Sequence, residues 1–175
     1  ELMGGTIWVE SRPGHGSTFC FTVELDPASQ ETLAGSKLQV AAGLSARRVL
    51  IVDDNETARM ALADIVDSFG MESVAVDSGE AALRLLHKTQ TGKDAFDIVL
   101  SDWRMPGMDG LELARAIRSD AHLVNMPAVL MVTAYGHQLV MSEATRIGLQ
   151  GVLLKPVTRS MIFNTFMEVL AVAPL

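Results

Sequence analysis

Between Arg47 and Leu170, short runs of β-branched and aliphatic residues alternate five times with amphipathic stretches, and few folds accept that order. The first run, Val49-Leu50-Ile51-Val52, is too short for a buried helix. It is apolar without alternation, as a central parallel strand covered on both faces must be. The stretch after it puts Ala58, Ala61, Leu62, Ile65, Val66 and Phe69 on one helical stripe, with Asn55 placed to cap its start and Gly70 to end it. The same reading predicts strands over 73–76, 96–101, 128–132 and 151–154, and helices over 78–89, 110–118, 137–147 and 158–170. Five strand–helix pairs in this order predict an α/β fold for residues 47–172: a three-layer, doubly wound (βα)5 parallel sheet with right-handed crossovers.

The N-terminal part follows a different rule. Thr6–Glu10 and Thr18–Leu25 alternate in polarity on either side of a loop containing Pro13, Gly14 and Gly16, which predicts a β-hairpin within 1–25. A lone hairpin is marginal in water, so its face bearing Phe19, Phe21 and Val23 is expected to need a partner. The hairpin therefore reads as a remnant of a larger sheet. Residues 26–46 turn to Ala, Ser, Gly and Gln without a sustained period and read as a linker, with a coil span on the order of 25 Å.

Composition narrows the function. A net charge of -7 supplies no basic face for a phosphate backbone, so no nucleic-acid partner is expected. No apolar run reaches the roughly 20 residues of a membrane-spanning helix, so no membrane contact is expected of this stretch. The single cysteine, Cys20, has no internal partner for a disulfide and is expected as a small core side chain, which suits a reducing cytoplasm.

In a doubly wound sheet, functional groups gather beyond the carboxyl ends of the strands. The first strand ends in Asp53-Asp54, the third in Asp102, the fourth in Thr133 and the fifth in Lys155-Pro156. Three carboxylates brought to one edge repel one another, and raised pKa values, Lys155 or a bound cation could relieve them. Oxygen donors without His or Cys favour a hard ion, Mg²⁺ first and Mn²⁺ as a substitute. A carboxylate can attack phosphorus when positioning and charge neutralisation lower the barrier. In that reading Asp102 is the nucleophile, Asp54 with help from Asp53 holds the metal, Lys155 neutralises a phosphoryl oxygen and Thr133 donates a hydrogen bond.

The runs Val-Leu-Ile-Val-Asp53-Asp54-Asn55, Leu-Ser-Asp102-Trp-Arg-Met-Pro106-Gly-Met-Asp109-Gly110, Val132-Thr133-Ala134 and Leu-Leu-Lys155-Pro156 resemble the response-regulator receiver family, with its flavodoxin-like fold. The resemblance implies Mg²⁺ ligation by Asp54, Asp102 and the backbone carbonyl of Arg104, phosphoryl contacts from Thr133 and Lys155, and a cis Lys155–Pro156 bond. It also implies a phosphohistidine donor, on a histidine-kinase domain or a histidine phosphotransfer protein. The aromatic that many receivers carry three residues before the Lys is Val152 here, so a response through Thr133, Tyr135 and the following loop is expected instead. The Gly14-His15-Gly16-Ser17-Thr18-Phe19 stretch and its flanking strands resemble the end of a histidine-kinase ATP-binding domain. The parent chain thus resembles a hybrid sensor histidine kinase, with possible anchoring of that parent in a membrane. The nucleotide motifs and the phospho-accepting helix of such kinases are missing from this sequence, so it is not expected to bind ATP productively.

Blander expectations accompany these. Trp103 is expected partly exposed beside the site, Gly107 and Gly110 to permit the loop and helix start, and Met60, Met131, Met161 and Met167 to fill core or interface. Two other functions fit the same residues: a receiver that controls its kinase by docking, and an aspartyl-nucleophile phosphatase acting on small molecules.

Overall fold

Two units divide the chain, Glu1–Leu38 and Gln39–Leu175. The computed structural model describes residues 4–24, 44, 47–89, 92–134 and 138–170, with the backbone alone for Lys93 and for 138–141. In the first unit, β1 (Ile7–Arg12) and β2 (Gly16–Phe21) pair antiparallel, from Ile7 opposite Phe21 to Arg12 opposite Gly16. The turn between them uses Gly14 at φ 78 and Gly16 at φ 87, a region open to glycine at no steric cost. Alternation puts Ile7 and Val9 with Phe21 and Phe19 in facing pairs, and all four are exposed. Cys20, opposite Trp8, is a free and only half-buried thiol rather than a core side chain.

The second unit contains β3 (Arg48–Val52), α1 (Glu56–Asp67), β4 (Glu72–Val76), α2 (Gly79–Lys88), β5 (Ile98–Asp102), α3 (Gly110–Ser119), β6 (Ala128–Thr133), α4 (Gln138–Ile147), β7 (Gly151–Leu154) and α5 (Arg159–Val169). The five strands form one parallel sheet in the order β4-β3-β5-β6-β7, which is the predicted architecture. Every residue of β5 is buried, and so are four of the five in β3, because helices cover both faces of the sheet.

Alternation along the strands divides the core in two. Val49 and Ile51 of β3, Ile98 and Leu100 of β5 and Leu130 and Val132 of β6 pack against Leu62 and Val66 of α1 and Ile162 and Phe166 of α5. Leu50, Val52, Val99 and Val129 turn the other way, onto Ala82 and Leu86 of α2 and Leu113, Ala114 and Ile117 of α3. A one-residue slip would exchange these two sets, so the register is strongly determined.

Local chemistry sets the helix ends. The Asn55 side chain accepts from the Ala58 amide at 3.0 Å, and the chain leaves α1 through Gly70 at φ 76. A capping box starts α3: the Asp109 carboxylate accepts from the Glu112 amide at 2.7 Å and Glu112 accepts from the Asp109 amide at 3.0 Å.

Some expectations shift. The third strand begins at Ile98, not Phe96; Phe96 is buried beneath the Arg48 guanidinium, 4.7 Å from its ring centroid. A short 3₁₀ turn, Gly92–Asp94, is unanticipated. Of the stretch read as linker, Leu44 is fully buried in the core against α1 and α5, and the remainder lies outside the described residues, as do Tyr135 and His137. Met131 and Met167 are core residues and Met161 packs against the core, but Met60 is exposed.

Phe166 closes the core under α5, so Phe166→Ala should cost about 3–5 kcal/mol. Urea unfolding of the second unit should show a lower midpoint at an unchanged slope.

Candidate functional site

Strand order reverses at β3: the chain goes from β3 outward to β4, then returns to place β5 on the other side of β3. The crevice beyond the carboxyl ends of β3 and β5 is where such sheets gather polar groups. Asp53 follows β3, Asp102 ends β5, Thr133 ends β6 and Lys155 follows β7. Asp53, Ser101, Asp102 and Thr133 are the buried polar residues at an otherwise apolar sheet end, with only 1%, 1%, 8% and 1% of their surfaces exposed, and Ser101 turns its hydroxyl onto the Asp102 carbonyl.

The Lys155 ammonium joins two of the carboxylates. Its Nζ donates to Asp102 Oδ1 at 2.5 Å and to Asp53 Oδ2 at 3.2 Å. The second oxygen of each carboxylate takes a backbone amide: Arg104 N–H to Asp102 Oδ2 and Asn55 N–H to Asp53 Oδ1, each at 2.8 Å. Lys155 is itself fixed by its amide, which donates to the Thr133 carbonyl at 2.8 Å. The Lys155–Pro156 bond is cis. Partial burial would draw the Lys155 pKa down, but the hydrogen bond and charge of Asp102, followed by those of Asp53, outweigh it and raise the pKa above the ordinary lysine value.

Asp54 stands apart from this pair, exposed to solvent. Among the described residues, no three His, Cys, Asp or Glu side chains form a ready metal cluster. The donor chemistry still fits a hard cation. The available ligands are all oxygens, and two buried carboxylates share a single ammonium, which leaves negative charge uncompensated even before Asp54 is counted. Arg104, expected to offer its carbonyl, has its amide on Asp102 and its guanidinium over Trp103 at 5.1 Å.

A cavity of about 140 Å³ opens on Asp102, lined also by Trp103, Arg104, Thr133, Ala134 and Lys155. That volume holds a small oxyanion and its solvent but no large metabolite. Trp103 is half-buried at its wall, as expected.

One contributor escapes the sequence reading, and two that it names do more than expected. Arg59 reaches back across the first turn of α1 and donates to the Asp53 carbonyl at 2.7 Å; its place four residues after the Asn55 cap was the available signal. Ala134 leaves room at the cavity wall, a meaning its small size alone does not carry. Gly110 does more than permit a helix start. A Cβ there would lie 2.3 Å from the Asp102 carbonyl oxygen, so α3 can press against the end of β5 only with glycine at this position. Its amide donates to the Trp103 carbonyl at 2.9 Å and locks that approach.

A doubly wound sheet in this order, with two buried aspartates, a threonine and a lysine at its switch point, defines the receiver class of α/β domains. The response regulator receiver domain family matches residues 49–166, and the chain belongs to it. It is 42% identical over 129 residues to the virulence sensor protein BvgS of Bordetella bronchiseptica, covering 68% of this chain and 10% of that protein. Against the chemotaxis protein CheY of Pseudomonas aeruginosa it is 38% identical over 116 residues, 66% of this chain and 89% of the relative. The sensor histidine kinase AruS of the same organism matches at 36% over 157 residues, 89% of this chain and 15% of its own length. That stretch is too long to be confined to the second unit, so it takes in part of the N-terminal one. Among solved structures, the chemotaxis response regulator CheY4 of Vibrio cholerae superposes with a TM-score of 0.62 at 28% identity, covering 70% of this chain and 98% of that one. The chain thus spans a small fraction of the two sensor proteins and nearly all of the two chemotaxis regulators. It is a receiver domain of two-component signalling, preceded by a separate antiparallel hairpin.

Two measurements probe the site's physics. Gly110→Ala should destabilise the second unit by about 1–3 kcal/mol through overpacking, read as a fall in Tm of several degrees. The Lys155 ammonium should titrate above the ordinary value of about 10.4, so the stability it contributes is complete below that pH and is lost as pH rises through the higher folded value. Nitrogen NMR of the Lys155 Nζ should show this midpoint, and Asp102→Asn, which removes the first of the raising contacts, should lower it.

Proposed function

We propose that Asp102 is the phosphoryl acceptor of a phosphorelay. A carboxylate oxygen of Asp102 attacks the phosphorus of a phosphohistidine, the P–N bond breaks, the imidazole leaves with a proton from solvent and an aspartyl phosphate forms. One observation carries the reading: a buried Asp102 carboxylate, 2.5 Å from a lysine ammonium, opens into an oxyanion-sized cavity that Thr133 also lines. Such a transfer needs positioning and charge neutralisation more than acid–base chemistry. Asp102 is fixed by the Arg104 amide and by Lys155, so its carboxylate is already oriented. Lys155 is the point charge that passes from the carboxylate to a phosphoryl oxygen as charge develops there. Thr133 hydrogen-bonds a second phosphoryl oxygen.

Mg²⁺, or Mn²⁺ in its place, would be held by Asp53, Asp54, Asp102 and the Arg104 carbonyl. Its part is to offset the negative charge that two buried carboxylates and an incoming phosphate bring together.

The donor is a histidine-kinase phosphodonor domain or a histidine phosphotransfer protein. The chain is read as part of a hybrid sensor kinase. Support comes from its likeness to two much longer sensor proteins, and from the AruS match reaching into the hairpin unit. Within that reading residues 1–25 end an ATP-binding domain, 26–46 link it to the receiver and 47–172 form the receiver. The segment is then a phosphate acceptor and not itself a kinase, and it works on the cytoplasmic side, where such donors reside. No helix among the described residues is long and apolar enough to cross a membrane.

Incubation with acetyl phosphate and Mg²⁺, followed by intact mass, should add one phosphoryl group per chain. Asp102→Ala or chelation of the metal should abolish the adduct. Absence of any adduct under all conditions would sink the acceptor reading and leave docking as the receiver's role, whereas continuous release of phosphate would mark a phosphatase.

A further inference from the structure

A second polar concavity lies between the C-terminal turns of α3 and α4. It is an open groove of about 390 Å³, lined by Arg115, Arg118, Ser119, Arg146 and Ile147, on an otherwise acidic chain of net charge -7. The family site uses none of these residues. Glu143 Oε2 accepts one N–H from Arg115 and one from Arg146, both at 2.8 Å. The Arg146 hydrogen bond first, then that of Arg115, holds the Glu143 carboxyl below its usual range. Arg118 donates one N–H to the Gly148 carbonyl at 3.0 Å, while its Nε is buried with no acceptor.

Charge alone gives this groove little pull. Glu143 cancels one of the three guanidiniums, and two helix C-termini, each equivalent to about half a negative charge, cancel roughly one more. The surplus lies in donors. Three guanidiniums meet one carboxylate oxygen and one carbonyl, so most of their N–H groups have no protein acceptor in these pairs. Turning Arg118 would give up its bond to the Gly148 carbonyl but would release the buried, unpartnered Nε, so that Nε and an Nη could face an anion together as a fork. Planar forks of this kind match the spread oxygens of a phosphoryl group better than a lone carboxylate does. Ile147 supplies an apolar wall to the groove.

We infer that this groove binds a small phosphate-bearing anion, of the diphosphate class, alongside Glu143. The function proposed for Asp102 neither requires nor excludes it. The test is a titration of the whole labelled chain with inorganic pyrophosphate in metal-free buffer, following the arginine Nε–Hε signals by NMR. Saturable shifts of Arg118 and Arg146 at millimolar pyrophosphate are expected, weakened about tenfold or more by combined Arg118→Gln and Arg146→Gln, with the Arg104 Nε–Hε signal beside the Asp102 cavity unmoved. Glutamine keeps good helix propensity at these surface positions, so the double variant should fold. ADP binding more tightly than pyrophosphate would assign a nucleotide, and equal binding would assign the bare diphosphate; either supports the site. No saturable shift, or shifts confined to the surroundings of Lys155, would overturn it. A glutamate-rich peptide binding the same arginines more tightly than pyrophosphate would also overturn it, in favour of an acidic protein partner.

Discussion

Two carboxylates buried at the end of an apolar sheet are the constraint around which the second unit is arranged. Burying one such charge costs several kcal/mol in a real protein, and burying two side by side adds their repulsion. The Lys155 ammonium, bonded to both Asp102 and Asp53, offsets this and draws together the ends of β3, β5 and β7. Each carboxylate's other oxygen is met by a backbone amide, so the buried oxygens are satisfied before any ligand is considered. The balance is deliberately incomplete in one respect: one ammonium faces two buried negative charges, with a third on exposed Asp54. Under the phosphorelay reading, a hard cation would offset that residual charge, so that Lys155 could turn to a phosphoryl oxygen without leaving the carboxylates uncompensated.

That arrangement depends on a rigid frame. Residues of β3, β5 and β6 are buried on both faces, so neither strand twist nor register can relax to ease the crowding at their ends. The contact of Gly110 with the Asp102 carbonyl extends the frame to α3, whose first turn is set by the Asp109–Glu112 capping box. The acceptor candidate is therefore held from three directions: by its own strand, by the lysine loop after β7 and by the start of α3.

Much of this was legible in the sequence because it follows from periodicity. The run Val49–Val52 and the stripe through Leu62, Val66 and Phe69 declare a two-sided strand and a one-sided helix, and Asn55 marks the boundary between them. The fall of Asp53, Asp102, Thr133 and Lys155 at strand ends is likewise a property of the chain. Pairing is not. Spacing cannot say that Lys155 reaches Asp102 more closely than Asp53, or that Asp54 turns outward, because side-chain reach across three strands depends on the sheet's twist. Leu44 was missed for a related reason: a single apolar residue has no period, so its burial becomes visible only with the core it completes. Cys20 was misread in the opposite sense, since an alternating hairpin predicts which face a side chain takes but not whether anything covers that face.

The valine at position 152 changes what a response to phosphorylation could use. Val152 lies opposite Met131 in the β6–β7 register, in a small cluster with Leu111, Trp103, Ile147 and Leu149. A valine has no ring to swing between a buried and an exposed position, and its β-branched side chain is restricted at χ1. The aromatic in that cluster is instead Trp103, covalently next to Asp102 and stacked by Arg104. Under the phosphorelay reading, one peptide bond links the acceptor to this cluster, alongside the expected route through Thr133 and Tyr135, of which Tyr135 lies outside the described residues. The cluster meets α4 at Ile147, where the helix is held to α3 by the Arg115–Glu143 pair. That pair is exposed and worth little by itself, about 0–1 kcal/mol. Arg118 adds a bond from α3 to the Gly148 carbonyl just past the end of α4, and Ala144 of α4 is buried, so the two helices are joined by packing and by hydrogen bonds as well as by that pair.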